Sequence, residues 1–255
     1  MVKICHIDMF FKTLTLLAII FYLKRRRQNV TFNAIKQLLY GLYLTNSFGM
    51  KLRKVEDQME IKRLRLAYSE AQLKTLHITV KVEDEEKLPK DGQYLVVVNH
   101  RSIIDPPITE VALKNTKIFG PWISKKELYN SFFFGLFVRN AGSILLDRDT
   151  NQMSGFFADT KRAVARGESI FIFPEGTRNK TEEKLTAFKE GSRIIALKNR
   201  LPILPLYIKT DAGTALKNAL EDSNLRQEIT IVVGDIIDYK EKTSLEENYK
   251  NRFSL

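Results

Sequence analysis

The chain has 255 residues, which is long enough for one sizeable α/β domain with an appended segment. Its 44% hydrophobic content, with 12 Gly and 7 Pro, is that of an ordinary folded protein and excludes a low-complexity or collagen-like chain. The single cysteine excludes an intramolecular disulfide and a multi-cysteine metal site, and three histidines leave little room for zinc. We therefore expect neither a metal nor another cofactor.

The net charge of +11 predicts an anionic partner, which could be a nucleic acid, a membrane surface, or an acidic carrier together with phosphate-bearing substrates. A surface made soluble by many lysines is the plain alternative. A nucleic-acid binder needs a basic stripe interleaved with exposed aromatic residues. Here the aromatic residues cluster in the apolar N-terminal stretches and around residues 132–137, so we expect no nucleic acid partner.

The first fifty residues contain two apolar stretches. Residues 13–23 are uncharged and are followed by the basic run 24–27, and residues 29–50 are interrupted only by Lys36. A bilayer span needs about 20 consecutive apolar residues, so the first stretch is too short and the second is too polar. We expect two amphipathic helices lying in one leaflet, with the basic residues on anionic headgroups.

This interpretation predicts a peripheral, monotopic protein on the cytoplasmic face of the inner or plasma membrane. Two alternatives remain. The helices could pack on the protein's own core. A signal peptide is the other, although its basic residues should precede the apolar run rather than follow it.

The remaining chain alternates between helical and strand-like patterns. Residues 51–73 predict an amphipathic helix that connects the anchor to the main domain. The predicted strands are 75–82, 94–98, 117–123, 143–146, 169–173, 203–208 and 229–233, and the predicted helices are 107–113, 152–166 and 191–199. This order indicates an α/β fold with a single mixed, mostly buried sheet flanked by helices. We expect an N-terminal anchoring and connecting segment at 1–68 and the α/β domain at 69–255.

The first candidate site follows the predicted strand 94–98. His100 lies just past the end of this strand, where α/β sheets usually place function, and a neutral imidazole can accept a proton near physiological pH. Asp105 precedes two prolines, so its plain role is a helix N-cap with Pro106 at the first helical position. The same carboxylate can also hydrogen-bond the second ring nitrogen of His100 and hold its tautomer.

The second candidate site is the hexapeptide of residues 173–178, again at the end of an apolar strand. Gly176 permits a turn that other residues resist and lets backbone N–H groups approach a ligand. Arg178 supplies a planar donor fork suited to phosphate. The alternative is a tight turn with a surface pair between Glu175 and Arg178.

Taken together, these two segments resemble the glycerolipid acyltransferase family, and most closely the 1-acyl-sn-glycerol-3-phosphate acyltransferases. The His-x4-Asp motif and the hexapeptide stand about seventy residues apart, as in that family. The blocks at 124–128, 134–135, 142–148 and 201–205 resemble its intermediate motifs. The similarity covers about residues 75–235. Ser124 and the run 132–134 depart from the family pattern, and neither includes a proposed catalytic residue.

The resemblance implies an O-acyltransferase of phospholipid biosynthesis. His100, oriented by Asp105, would remove the proton from the sn-2 hydroxyl of lysophosphatidic acid, which attacks an acyl thioester of coenzyme A or acyl carrier protein. No acyl-enzyme is implied, because Ser102 is better placed to cap a helix than to act as a nucleophile. The alternatives are another acceptor, such as glycerol 3-phosphate or a different lysolipid, and a non-catalytic peripheral membrane protein.

The resemblance also implies a set of substrate-binding residues. Arg178 and Lys125 would hold the phosphate, and Glu175 would bind the glycerol portion or shape its loop. Backbone N–H groups around Gly176 would face the oxyanion of the tetrahedral intermediate. The full predicted set is Lys125, Arg148, Glu175, Gly176, Thr177 and Arg178.

Overall fold

The computed structural model describes residues 32–147 and 153–255. The predicted helix at 13–23, the basic run 24–27 and Arg148 lie outside the described residues.

Two long helices precede the sheet. Helix α1 spans Phe32–Leu52 and helix α2 spans Gln58–Thr75, which confirms a helix within 29–50 and the predicted connecting helix. Helix α2 begins with a carboxylate cap, because Asp57 accepts a hydrogen bond from the Glu60 N–H at 2.7 Å. In the described part of the chain, no helix has both the length and the apolar character needed to cross a bilayer.

One face of α1 packs on α2. Leu44, Phe48 and Leu52 from α1 meet Leu64 and Tyr68 from α2 in a buried cluster. Packing on the protein's own structure therefore accounts for this face. Helix α2 continues past residue 68, where the boundary between the two segments was expected.

The remaining elements alternate as the sequence predicts. The strands are β1 Ile78–Glu83, β2 Leu95–Val98, β3 Ile123–Lys125, β4 Ile144–Leu146, β5 Ile170–Ile172, β6 Ile203–Ile208 and β7 Gln227–Val233. The helices are α3 Asp105–Ala112, α4 Lys126–Tyr129, α5 Gly135–Asn140, α6 Ser154–Ala165, α7 Gly191–Asn199, α8 Ala212–Glu221 and α9 Leu245–Phe253. The pattern did not predict α4, α5, α8 and α9, although Asp211 and Ser244 cap the last two with side-chain hydrogen bonds.

The central sheet has five strands in the order β1-β7-β6-β2-β5, and it is mixed because β6 and β7 are antiparallel. A single sheet was expected, but β3 and β4 form a separate two-stranded parallel sheet. The reason lies in the predicted strand 117–123. The carbonyls of Phe119 and Pro121 accept hydrogen bonds from Ser169 and Phe171 at the edge of β5. Pro121 has no N–H to donate, so a regular strand begins only at Ile123.

Strand β2 lies at the centre of the core. Val96 and Val98 belong to the apolar cluster on one face of the sheet, whereas Leu95 and Val97 belong to the cluster on the other. All four side chains are fully buried, as expected for a strand covered on both faces. Strand β2 is parallel to both β5 and β6, so the carboxyl ends of these three strands meet at one edge.

Candidate active site

The first residue beyond β2 fixes the point at which the chain leaves the sheet. The Asn99 side chain donates to the Ile208 carbonyl at 3.1 Å and accepts from the Ile208 N–H at 2.7 Å. This pair extends the contact between β2 and β6 by one residue and buries the amide. The start of the His100 loop is therefore held against a strand rather than left to a flexible turn.

His100 and Asp105 are in direct contact. The Nδ1 atom of His100 lies 2.8 Å from Asp105 Oδ2, which also accepts the N–H groups of Arg101 and Ser102 at 2.7 Å each. The Asp105 side chain is 1% exposed and that of His100 is 18% exposed. Because a carboxylate accepts, Nδ1 carries the proton and Nε2 presents its lone pair. This geometry can support general-base chemistry at Nε2.

Two predicted helix caps are wrong. Asp105 is itself the first residue of α3, preceded by Ile104, and its side chain makes no cap hydrogen bond. A cap at Asp105 would need N–H donors two and three residues on, but Pro107 has none and the Ile108 N–H bonds to the Ile104 carbonyl. The Ser102 hydroxyl is buried and makes no hydrogen bond to any described residue, so it caps nothing either.

The imidazole also stacks on an aromatic ring. The ring centroids of His100 and Phe173 are 3.9 Å apart and their planes differ by 10°. Phe173 follows β5 directly, so the parallel pairing of β2 with β5 brings the two rings together. Sequence reasoning included Phe173 only as a letter of the hexapeptide, because a motif carries no information on ring planes.

The hexapeptide forms a turn around Gly176, which has a positive φ of 70°. The Gly176 N–H donates to the Phe173 carbonyl at 2.9 Å. That N–H is committed to the turn, so an oxyanion donor would have to come from a neighbouring residue. The alternative interpretation predicted a tight turn with a surface pair between Glu175 and Arg178. The turn is present, but the surface pair is not, because Glu175 is buried.

Glu175 joins three segments. Its Oε1 accepts the His100 N–H at 2.7 Å, and its Oε2 accepts the Thr186 N–H at 2.8 Å and the Thr186 hydroxyl at 2.5 Å. The side chain therefore contacts the His100 loop directly while it closes the segment that follows the hexapeptide. These contacts favour the shaping of the loop over a direct contact with substrate.

Arg101 ties the His100 loop to the segment after the hexapeptide. Its guanidinium donates to the carbonyls of Thr181 and Glu183, and it lies 3.8 Å from Asp211 Oδ2. Burial acts to raise the pKa of Asp211, but hydrogen bonds from Thr214 and Gly213 and the charge of Arg101 outweigh it and lower that pKa. No sequence signal identified Arg101, because its partners are backbone groups about eighty residues away.

Of the other predicted substrate-binding residues, the structure describes Lys125, Thr177 and Arg178. Thr177 and Arg178 are exposed at the end of the turn. Lys125 ends β3, and Trp122, the residue directly before β3, forms an isolated parallel bridge with Phe171 of β5. The structure thus brings His100, Asp105 and Glu175 into contact, while the substrate-binding roles of Lys125, Thr177 and Arg178 stay predictions.

The fold and the His100–Asp105 pair define an α/β protein with a candidate general base at the carboxyl edge of a mostly parallel sheet. The family model described as Acyltransferase matches residues 79–209, about half of the chain. The chain belongs to the acyltransferase family, which confirms the resemblance found in its motifs.

Curated relatives carry related names. The 1-acyl-sn-glycerol-3-phosphate acyltransferase of Helicobacter pylori is 33% identical over 157 residues, which are 61% of this chain and 65% of the relative. The enzyme of that name from Bacillus subtilis is 29% identical over 126 residues, 49% of this chain and 60% of the relative. The human alpha form is 31% identical over 161 residues, 62% of this chain and 54% of the relative. The chain thus spans between about half and two thirds of these relatives' length.

A solved structure shares the fold. The crystal structure of the 1-acyl-sn-glycerophosphate acyltransferase PlsC from Thermotoga maritima superposes with a TM-score of 0.58. The match covers 96% of this chain and 92% of that one at 21% sequence identity.

Proposed function

We propose that the protein transfers a fatty acyl group from a thioester to the free sn-2 hydroxyl of 1-acylglycerol 3-phosphate, which yields phosphatidic acid. The observation that carries this proposal is the 2.8 Å contact between His100 Nδ1 and Asp105 Oδ2 at the carboxyl edge of the sheet, in a chain of the acyltransferase family. The names of the curated relatives support the choice of acceptor.

The chemistry needs one base and no covalent intermediate on the protein. Nε2 of His100 takes the proton of the acceptor hydroxyl as its oxygen attacks the thioester carbonyl. The tetrahedral intermediate then collapses, the carbon–sulfur bond breaks, and the thiolate takes the proton back from the imidazolium. Asp105 stabilises the imidazolium while it exists. Ser102 is no nucleophile in this scheme, since its hydroxyl is buried.

The acceptor needs a cationic site for its phosphate. Arg178 is exposed beside the turn and offers a bidentate fork, and Lys125 lies partly buried at the end of β3. Arg148, Gly176 and Thr177 complete the proposed binding set. Glu175 acts through the shape of the loop, because both of its oxygens bind backbone or hydroxyl donors.

The acceptor and product are lipids, and one face of α1 fits a bilayer surface. Phe32, Leu39, Tyr43 and Met50 are all exposed, with Phe32 at 83% and Tyr43 at 67%. Their spacings of seven, eleven and eighteen residues from Phe32 place them along one side of a helix with 3.6 residues per turn. We name these four residues the α1 stripe. It lies outside the face that packs on α2 and supports peripheral attachment to a bilayer surface. We propose that this surface is the anionic leaflet on the cytoplasmic side.

A panel of acceptors tests the proposal. The purified full chain, in vesicles with an acyl thioester, is given 1-acylglycerol 3-phosphate, glycerol 3-phosphate and a lysolipid without a terminal phosphate. We expect the highest kcat/KM with 1-acylglycerol 3-phosphate, and the donor assay is run with both coenzyme A and acyl carrier protein thioesters. A preference for another acceptor would replace the proposed substrate, and no transfer to any acceptor would favour a non-catalytic membrane protein.

A further inference from the structure

A buried polar contact lies behind the aromatic ring that stacks on His100. The Trp122 indole N–H donates to Glu110 Oε1 at 2.8 Å, and the guanidinium of Arg65 donates to the same oxygen. Arg65 and Glu110 are both well buried, with exposed side-chain fractions of 3% and 10%. Two donors therefore converge on one carboxylate oxygen in the interior.

This contact joins three parts of the fold. Glu110 lies on α3, the helix that begins at Asp105, and Trp122 directly precedes β3. Arg65 comes from α2 and also donates to the Gly120 carbonyl at 2.7 Å. The position of the indole is thus fixed from α3 and, through Arg65, from the helix that leads in from the N-terminal segment.

The indole in turn stacks on the ring that supports the base. The Trp122 and Phe173 ring centroids are 4.8 Å apart with planes 26° apart, and Phe173 stacks on His100 at 3.9 Å. Phe173 has no polar atom in its side chain, so hydrogen bonds cannot fix its ring plane. Its plane is fixed by packing on the core and by its ring contacts, and among the ring contacts Trp122 carries the polar atom that anchors them.

We propose that Glu110 and Trp122 are positioning residues for His100: the Glu110 carboxylate fixes the indole plane, the indole fixes Phe173, and Phe173 fixes the plane of the imidazole. The hydrogen bond to Asp105 holds one ring nitrogen but still allows the imidazole to rotate about it. Stacking on Phe173 prevents this rotation. Nε2 is thereby aimed at the acceptor hydroxyl. The inference rests on the proposed function, in which Nε2 is the base.

Trp122→Phe tests this role while keeping an aromatic ring at the position, and the second ring of the indole is lost together with its N–H. It removes the N–H donor, while Arg65 stays paired with Glu110, so no buried charge is stranded. The matched control is Tyr68→Phe, which also removes the polar atom of a buried aromatic residue, there bonded to Thr45 and Gln72 between α1 and α2. We expect Trp122→Phe to lower kcat by about tenfold with both KM values within twofold of wild type, since small misplacements of a reacting group are costly. Tyr68→Phe should keep the wild-type kcat.

A spectroscopic readout separates positioning from general loosening. In protein labelled with 15N-histidine, the Nδ1–H proton of His100 should give a downfield signal because it is held on Asp105. We expect Trp122→Phe, and not Tyr68→Phe, to shift and broaden this signal. The change does not require acyl transfer, so it can be measured even if the wild-type chain transfers nothing and the proposed function fails.

Glu110 provides the conservative rescue. Glu110→Ala removes the acceptor for the indole, whereas Glu110→Gln keeps a carbonyl oxygen there, and both variants leave the buried Arg65 without its carboxylate. The pair therefore isolates the contact with the indole, and we expect the glutamine variant to recover most of the kcat lost in the alanine variant. An equal kcat in Trp122→Phe and Tyr68→Phe, together with an unchanged His100 signal, would overturn the inference. Equal losses in Glu110→Ala and Glu110→Gln at equal thermal stability would overturn the role of Glu110.

Discussion

Replacing Glu175 tests whether this buried carboxylate holds the site together or binds substrate. It accepts three hydrogen bonds, from the His100 N–H, the Thr186 N–H and the Thr186 hydroxyl. Hydrogen bonds to a charged group contribute about 1.5 kcal/mol each at the lower end, so Glu175→Ala should cost about 4.5 kcal/mol. Glu175→Gln keeps one acceptor for the His100 N–H, and the Thr186 hydroxyl can turn to accept from the new amide. Only the Thr186 N–H is then left facing a donor, at a cost of about 1–3 kcal/mol.

The assay is thermal unfolding of the full chain in detergent, followed by circular dichroism, with initial rates measured well below each Tm. We expect the order of stability wild type, Glu175→Gln, Glu175→Ala. In Glu175→Ala, kcat should fall more than the acceptor KM rises, because the His100 N–H loses its acceptor and the His100 loop shifts while the phosphate site stays intact. A wild-type Tm in Glu175→Gln combined with a large rise in the acceptor KM would refute this reasoning and make Glu175 a substrate ligand.

Three further predictions test separate parts of the structure. Arg178→Ala should raise the acceptor KM about tenfold or more and leave the donor KM unchanged, and an equal rise in both would show that Arg178 is structural. Replacing Tyr43 and Met50 in the α1 stripe by serine should weaken co-sedimentation with anionic vesicles at unchanged Tm, and unaltered binding would place the attachment elsewhere. Hydrogen bonds from Lys250 and then the Phe188 N–H lower the pKa of Glu246 from its ordinary value of 4.5, so its stabilisation is present above that value and is lost as the pH falls through the lowered pKa. Glu246→Gln should therefore destabilise the protein by about 1 kcal/mol at pH 7 and converge with wild type once the pH falls below the lowered pKa of Glu246, whereas a constant difference would contradict the charge-based explanation.

Strand patterns in the sequence predicted most of the sheet, because buried parallel strands read as short apolar runs. Residues 203–208 and helix 191–199 were predicted with the bounds that the structure gives. The separate β3–β4 sheet was not predictable in the same way. Its cause is the missing N–H of Pro121 at the edge of β5, a property of one position that a hydrophobicity pattern does not register.

The sequence predicted the site residues whose role follows from their residue type and position, but not those whose role depends on a tertiary contact. His100 and Asp105 stand out because they follow an apolar strand at a spacing that lets them meet. Arg101, Glu110 and Trp122 do not stand out, because their partners are backbone carbonyls or side chains distant in sequence. The prolines at 106 and 107 suggested a capped helix start, and the same prolines explain why Asp105 caps nothing and turns back to the His100 loop instead.

The measurement that most directly tests the central claim is the turnover of His100→Ala with 1-acylglycerol 3-phosphate and an acyl thioester. His77→Asn is the matched histidine control, since His77 is exposed and has a positive φ of 52° that asparagine tolerates. We expect His100→Ala to stay folded and to lose about 10²–10⁴-fold in kcat, as expected for the loss of a general base, while His77→Asn keeps full turnover. A near-wild-type kcat in His100→Ala would contradict the assignment of His100 as the catalytic base.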